Sequence, residues 1–371
     1  MKSIHEMSDE ELISYKKSLE YDVSKYHNFQ LVRKVQLNSA YGALGNQWFR
    51  FYSTDLAEAI TLSGQLSIQW IGIRLNEMLN SVTKNKDKDY IIASDTDSLY
   101  VNMSDVVKLF AHDKSKTEQV DYVNNISEKV VLPFIEKQTN ELSNIMNSYE
   151  NRIVMAREVI ADKGVWTAKK RYMLNVWDSE GVRYDNPKQK IMGIETSRSS
   201  TPEVVRKELK SAIKIILNKD ESSLIEFVDN FKQKFMKLSA EEIAFPRSVN
   251  GLEKYKDNAQ IYKKGTPIAV KGALLYNYYL DKMKLSRKYV KITEGEKIKF
   301  IYLKKPNPLA GFKGEDSVIA FNNKLPKEFD LSQFIDYNTQ FEKTFLDPLK
   351  IILSVINWNH EKTNTLESLF I

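Results

Sequence analysis

The chain is 371 residues long, enough for two or three domains with substantial cores. Its 55 Lys and Arg against 49 Asp and Glu leave a net charge of +6, a mild bias toward polyanionic partners that many enzymes share. No cysteine and only four scattered histidines exclude a disulfide framework, a thiolate metal site and a His-based zinc site. The N-terminus, Met1-Lys2-Ser3-Ile4-His5-Glu6, has no apolar signal core. The most apolar stretch, from Leu56 to Ile73, is interrupted by Glu58 and other polar residues and does not read as a membrane span. A soluble, cytoplasmic protein with no membrane partner is the expectation.

Ser8-Asp9-Glu10-Glu11 is a capping-box pattern that opens a helix. The helical pattern runs on to Gly42 and Gly45, natural terminators, with a break expected near His27-Asn28. Lys34, Asn38 and Tyr41 fall at i, i+4 and i+7 and share one face. A cation, an amide and a phenol on one stripe can meet a nucleotide's phosphates, sugar and base together. Asn38 and Ser39 are poor helix formers so deep in such a run, which points beyond an ordinary amphipathic surface.

Residues 48–80 carry a second long helical pattern, with Leu56, Ile60, Leu66, Ile68, Trp70, Ile71, Leu75 and Leu79 on its apolar face. A charged loop over 84–89 follows. The runs Tyr90-Ile91-Ile92-Ala93 and Leu99-Tyr100-Val101 then flank Asp95-Thr96-Asp97, which predicts a hairpin with two carboxylates at its tip. A lone Asp-x-Asp is more often a solvated turn, because Asp favours turns. A carboxylate pair held this close repels itself unless a hard cation sits against it, and oxygen-only ligation suits Mg²⁺.

A helical stretch is expected over 118–147, and strand-like alternation over 151–176 around Lys163-Gly164. Lys169-Lys170-Arg171-Tyr172 is a compact cationic run with an aromatic at its end, suited to holding a duplex through its phosphates. Beyond Met192 the chain reads as helix-rich, over 203–217, 223–238 and 341–358, with a basic region at Lys254, Lys256, Lys263, Lys264 and Lys271. Leu366, Leu369 and Phe370 form an apolar tail behind the polar tether Glu361-Lys362-Thr363-Asn364. This order of elements predicts an α+β fold, an antiparallel sheet with helices on one face followed by a helix-rich region.

Lys34-Val35-Gln36-Leu37-Asn38-Ser39-Ala40-Tyr41-Gly42 followed by Asp95-Thr96-Asp97-Ser98 resembles family B DNA polymerases, which carry Lys-x-x-x-Asn-Ser-x-Tyr-Gly and then an Asp-Thr-Asp-Ser hairpin. Lys169-Lys170-Arg171-Tyr172 is similar to that family's Lys-Lys-x-Tyr element. Ile191-Met192-Gly193-Ile194-Glu195-Thr196 with Ser199-Ser200-Thr201-Pro202 is similar to the start of the thumb in T-even-type phage replicases. The resemblance runs from about residue 25 to the C-terminus, with four motifs in the family's order.

It implies part of the fingers over 1–46, a palm with the catalytic hairpin over 47–190, a thumb over 191–363 and a sliding-clamp-binding tail over 364–371. It also implies two-metal phosphoryl transfer. Asp97 is then a direct Mg²⁺ ligand, and Asp95 a second acid near the primer end. Lys34 contacts the phosphates of the incoming deoxynucleoside triphosphate, while Asn38, Tyr41 and Gly42 lie at the nascent base pair. Lys169 to Tyr172 grip primer–template DNA. Glu158 matches a palm acid near the metals, although the acid often found two positions earlier is Ala156 here.

The family's Asp-x-x-Ser-Leu-Tyr-Pro-Ser motif, which supplies the second essential metal-binding Asp, does not occur in the chain; its single Ser-Leu-Tyr is Ser98-Leu99-Tyr100 in the hairpin. The expected protein is therefore a C-terminal subunit or fragment that shares its two Mg²⁺ ions with an N-terminal partner carrying the exonuclease and the missing motif. Met1 and the helix cap fit either a naturally split gene or a cloned piece. A catalytically silent DNA- and clamp-binding accessory derived from a polymerase is the alternative.

Overall fold

The computed structural model describes residues 4–309 and 317–362. The fold is α+β, with small antiparallel sheets among many helices. It divides into two compact units, Met1–Ala156 and Arg157–Ile371.

In the first unit, α1 (Asp9–Leu44) is followed by α2 (Thr54–Thr83). The hairpin strands β1 (Ile91–Asp95) and β2 (Ser98–Val101) come next, then α3 (Ser104–Phe110), α4 (Lys116–Ile126) and α5 (Leu132–Ile145). Ser8 caps α1 as the sequence predicts: Glu11 N–H donates to Ser8 Oγ at 3.3 Å, and Ser8 N–H donates to the Glu11 carboxylate at 2.9 Å.

Four expectations need correction here. No break occurs at His27-Asn28, because two mediocre helix formers cost only tenths of a kcal/mol each inside an already propagating helix. Gly42 lies within α1, and Gly45 is the residue that caps it. The second helix starts at Thr54 rather than 48; Ser53 Oγ accepts from Leu56 N–H at 3.2 Å, while residues 46–53 form hydrogen-bonded turns. The stretch expected as one helix over 118–147 is α4 and α5 joined through a wider π-type turn over Ser127–Val131.

The hairpin packs on the C-terminal half of α2 and on α5. Ile71, Leu75 and Ile135 are buried there, with Ile91, Leu99 and Val101 against them. A second small cluster joins Leu79, Tyr90 and Val106. α1 buries no residue at all.

The second unit opens with an antiparallel sheet of β3 (Val159–Ala168), β4 (Arg171–Ser179) and β5 (Val182–Met192), with β4 in the middle. Strand alternation was expected from residue 151, but 151–158 lie outside any strand. The helices α6 (Glu203–Asn218) and α7 (Glu221–Phe235) follow, then the short α8 (Ala240–Ile243) and β6 (Phe245–Ser248). Next come α9 (Leu252–Tyr255), the two-residue strands β7 (Lys256–Asp257) and β8 (Ile261–Tyr262), and α10 (Ile268–Lys282). The unit ends with β9 (Lys297–Tyr302), β10 (Val318–Phe321), α11 (Tyr337–Phe341) and α12 (Asp347–Ile356). A π-type turn joins the last two helices, so the terminal helix begins four residues before the expected 341.

One large core fills this unit. Leu209, Ile213, Phe235, Leu275, Phe300, Phe321, Phe345 and Leu349 are among its buried members. The Phe231, Phe235, Phe341 and Phe345 rings meet at centroid distances of 4.8–5.8 Å. No helix among the described residues is long and apolar enough to cross a membrane.

Candidate active site

β1 and β2 pair with Asp95 opposite Ser98, so Thr96 and Asp97 form a two-residue turn. The turn is tight: Asp97 N–H reaches Asp95 O at 2.6 Å, Thr96 Oγ1 donates to the Asp95 carboxylate at 3.0 Å, and Ser98 Oγ donates to Asp95 O at 3.2 Å. Thr96 adopts φ = 56°, an uncommon and strained choice for a β-branched residue. Asp97 is exposed at the tip and Asp95 half-buried beside it. The predicted hairpin is therefore present, with both carboxylates at one end of it.

Two helix asparagines brace the approach to this turn, and sequence reasoning passed over them. Asn76 Oδ1 accepts from Tyr90 N–H at 2.8 Å, and its amide donates to Asp89 at 2.9 Å. One turn further, Asn80 bonds both Lys88 N–H (3.0 Å) and Lys88 O (2.8 Å). Asn is a poor helix former, so two of them at i, i+4 beside a charged loop were the available signal. Tyr90, fully buried, donates or accepts through its hydroxyl at Thr83 (2.6 Å), Asn85 (2.7 Å) and Asp105 (3.2 Å). The Lys88 ammonium hydrogen-bonded to Asp105 holds that carboxyl below its ordinary value.

Lys34, Asn38 and Tyr41 lie on the unbroken α1 and are all exposed, as is Gly42. A Cβ on Gly42 would meet nothing within 4 Å, so the backbone there is open to a close neighbour.

The remaining predicted residues belong to the second unit. Lys169 and Lys170 are the exposed turn between β3 and β4, with Lys170 at φ = 62°. Arg171 and Tyr172 start β4 and are engaged within the protein. One Arg171 amino group bridges both Glu195 oxygens at 2.9 and 2.8 Å. Tyr172 is buried, and its ring lies 6.1 Å from that of Trp166. Glu158 immediately precedes β3; its carboxylate is largely exposed and 3.8 Å from Lys190 Nζ. Next to it, Arg157 is paired with the buried Asp178, which also accepts from Gly181 N–H at 3.1 Å. Leu366, Leu369 and Phe370 lie outside the described residues.

Residues 13–354 match the family model for DNA polymerase family B. The chain belongs to that family. This family B chain is 37% identical over 355 residues to the DNA-directed DNA polymerase of Enterobacteria phage T4, a match covering 92% of the chain and 38% of the phage protein. It is 36% identical over 356 residues to the DNA-directed DNA polymerase of Escherichia phage RB69, with the same coverage of both. A more distant match, 28% over 228 residues, is the DNA polymerase of Choristoneura biennis entomopoxvirus. The chain thus spans well under half the length of the phage relatives it matches.

Proposed function

We propose that the chain provides the C-terminal part of the fingers (1–46), the palm (47–190) and the thumb (191–363) of a replicative DNA polymerase. Its reaction is template-directed addition of a deoxynucleotide to a primer 3′ end. The observation that carries this reading is the braced hairpin tip, two carboxylates two residues apart, inside a chain of family B.

Asp97 and Asp95 offer hard oxygen donors of the kind Mg²⁺ prefers. No group of three or more His, Cys, Asp or Glu that could hold a metal occurs among the described residues, so the pair fits as part of a ligand set. A further carboxylate then comes from the polymerase region that precedes this one in the family, shared across the two. When bound, the ions activate the 3′-hydroxyl and neutralise charge on the leaving pyrophosphate.

The chain's own residues bind and orient. The Lys34 ammonium holds the triphosphate and stabilises charge developing on it. Asn38 and Tyr41, on the same exposed face, line the nascent base pair with Gly42. Lys169 and Lys170 hold primer–template phosphates, while Arg171 and Tyr172 keep their turn in place from below. The apolar side chains left exposed along α1 support a fold completed by the preceding region. The tail over 364–371 is the sliding-clamp contact, a short apolar anchor on a tether; deleting it should abolish clamp-dependent processivity and leave short synthesis unchanged.

The decisive measurement is primer extension. The chain alone should extend nothing, and addition of the preceding polymerase region should restore synthesis. In the restored enzyme, Asp97→Ala should cut incorporation by several orders of magnitude with duplex binding intact. Activity within about tenfold of the parent, roughly 1.4 kcal/mol of barrier, sinks the assignment. The incomplete acid set favours one rival, a silent DNA- and clamp-binding accessory. Duplex binding that no added region converts into synthesis would establish it.

A further inference from the structure

In the first unit, a cavity of about 320 Å³ opens to solvent between α2 and α5. Its walls are of two kinds. Met78 and Phe134 are apolar and half-buried, whereas Arg74, Glu77, Glu141 and Gln138 supply polar groups. Arg74 is held on three sides. Its guanidinium lies 4.4 Å from the Trp70 ring, one amino group is 3.0 Å from the Glu77 carboxylate, and the other stops 3.7 Å from Glu141. Trp70 is in turn fixed to the opposite helix, its indole N–H donating to Gln138 O at 3.0 Å. The polar wall is therefore ordered before anything enters it.

Two features of that wall are left unmet. Its charges are one guanidinium and two carboxylates, so the lining is net negative, and at 3.7 Å Arg74 gives Glu141 no hydrogen bond. Gln138 is only 7% exposed, yet its side-chain Oε1 has no hydrogen-bond partner among the described residues. An acceptor withdrawn from water and left unpaired is costly and calls for a donor. The two ends of an amide exchange by rotation about one soft torsion, which turns the Gln138 carbonyl to the cavity without moving the rest of the side chain. Both unmet groups are acceptors.

We propose that this cavity binds a primary alkylammonium group, as carried by a lysine side chain of a protein partner or by a free aliphatic amine. An ammonium offers three donors, no acceptor and a compact positive charge, which suits carboxylates and an amide carbonyl in one wall. The methylenes behind it cover Met78 and Phe134, as lysine stems do on apolar surface. An anionic ligand would instead be repelled by Glu77 and Glu141. None of these residues belongs to the nucleotide- or DNA-binding set, so the site stands apart from the polymerase reading.

The test uses the full chain labelled with 5-fluorotryptophan, the Trp70 fluorine resonance being assigned with Trp70→Phe. Nα-acetyl-lysine amide and putrescine should each shift that resonance saturably, with dissociation constants on the order of a millimolar for carboxylates so exposed. The neutral Nα,Nε-diacetyl-lysine amide should not. Tighter binding of the lysine amide assigns the site to a partner's side chain, and tighter binding of putrescine to a free amine. Glu141→Gln, at an exposed position, should weaken binding by about fivefold. Gln138→Met, which keeps the volume and removes the acceptor, should do so by a similar factor. Should Gln138→Met melt early, Glu141→Gln carries the same readout. No saturable shift with either amine overturns the site. So does an equal response to the diacetylated compound, or binding undiminished in Glu141→Gln.

Discussion

α1 and α6 are both long helices, and they relate to their surroundings in opposite ways. α6 buries Val205, Leu209, Ala212, Ile213, Ile216 and Leu217 along one stripe and turns its charges outward. α1 is more than twice as long, 36 residues against 16, and buries none. Its large apolar side chains do not form a stripe. At 100° per residue, Ile13, Leu19, Tyr21 and Phe29 point to four different sides, and all are exposed. Helices that are apolar all round belong inside a core. Alone, α1 rests on its capping box and on helix propagation, whereas α6 is held by tertiary packing.

The sharpest way to break that contrast is truncation on each helix. Leu209→Ala should cost about 2–5 kcal/mol in urea unfolding of the chain, as full burial demands. Leu37→Ala, at a position 74% exposed, should change stability by less than about 0.5 kcal/mol. A cost above about 1 kcal/mol at Leu37 would mean that α1 is packed in solution after all.

The functional version compares a lysine from each unit. In a reconstituted polymerase, Lys34→Ala should raise the nucleotide concentration needed for half-maximal rate about tenfold, some 1.4 kcal/mol, and leave duplex titrations unmoved. Lys170→Ala should do the reverse, weakening duplex binding and reducing its salt slope by about 1. Equal effects on DNA affinity would erase the division of labour.

The smallest effect concerns pH. Hydrogen bonds from Lys288, the backbone and Tyr289 hold the exposed Glu328 carboxyl down to about 2, from an ordinary 4.5. Because the folded value lies below the unfolded one, this contribution is present above about pH 4.5 and is lost as the pH falls toward 2. Glu328→Gln should therefore lower stability slightly at neutral pH, leave it nearly unchanged near pH 2, and so flatten the acid limb of the stability curve. An unaltered acid limb would show the pair to be without thermodynamic weight.

Local signals were legible where they are chemically specific. Ser8-x-x-Glu11 marked its cap, and alternation around Asp95-Thr96-Asp97 marked the hairpin, because both depend on residues only a few positions apart. The starting point of α2 was missed because Ser53 competes as a cap with a run that looks helical from 48 onward. Other features had no local signature. Glu195 bridges to Arg171 from 24 residues away, and Arg247 reaches Ser200 across 47. Such pairings are set by which strands become neighbours, which no short window of sequence encodes. The roles of Lys169 to Tyr172 divide for the same reason: four residues read as one cationic run, and the fold turns two outward and commits two inward.

The unbroken length of α1 has a mechanical consequence. At 1.5 Å per residue its 36 residues span about 54 Å, running away from the turns at 46–53, with Lys34 only about 15 Å from that base. A stiff rod pivoting at one end is a lever. A rotation of about 10° at the base carries Lys34 through about 3 Å and the far end through about 9 Å, given that rise per residue. Had the helix broken at His27-Asn28, the outer half would have swung on its own and decoupled from the inner. Were α1 to pivot about those turns as one body, a force applied near Ser8 would reach Lys34 multiplied more than threefold, with its travel reduced in the same ratio.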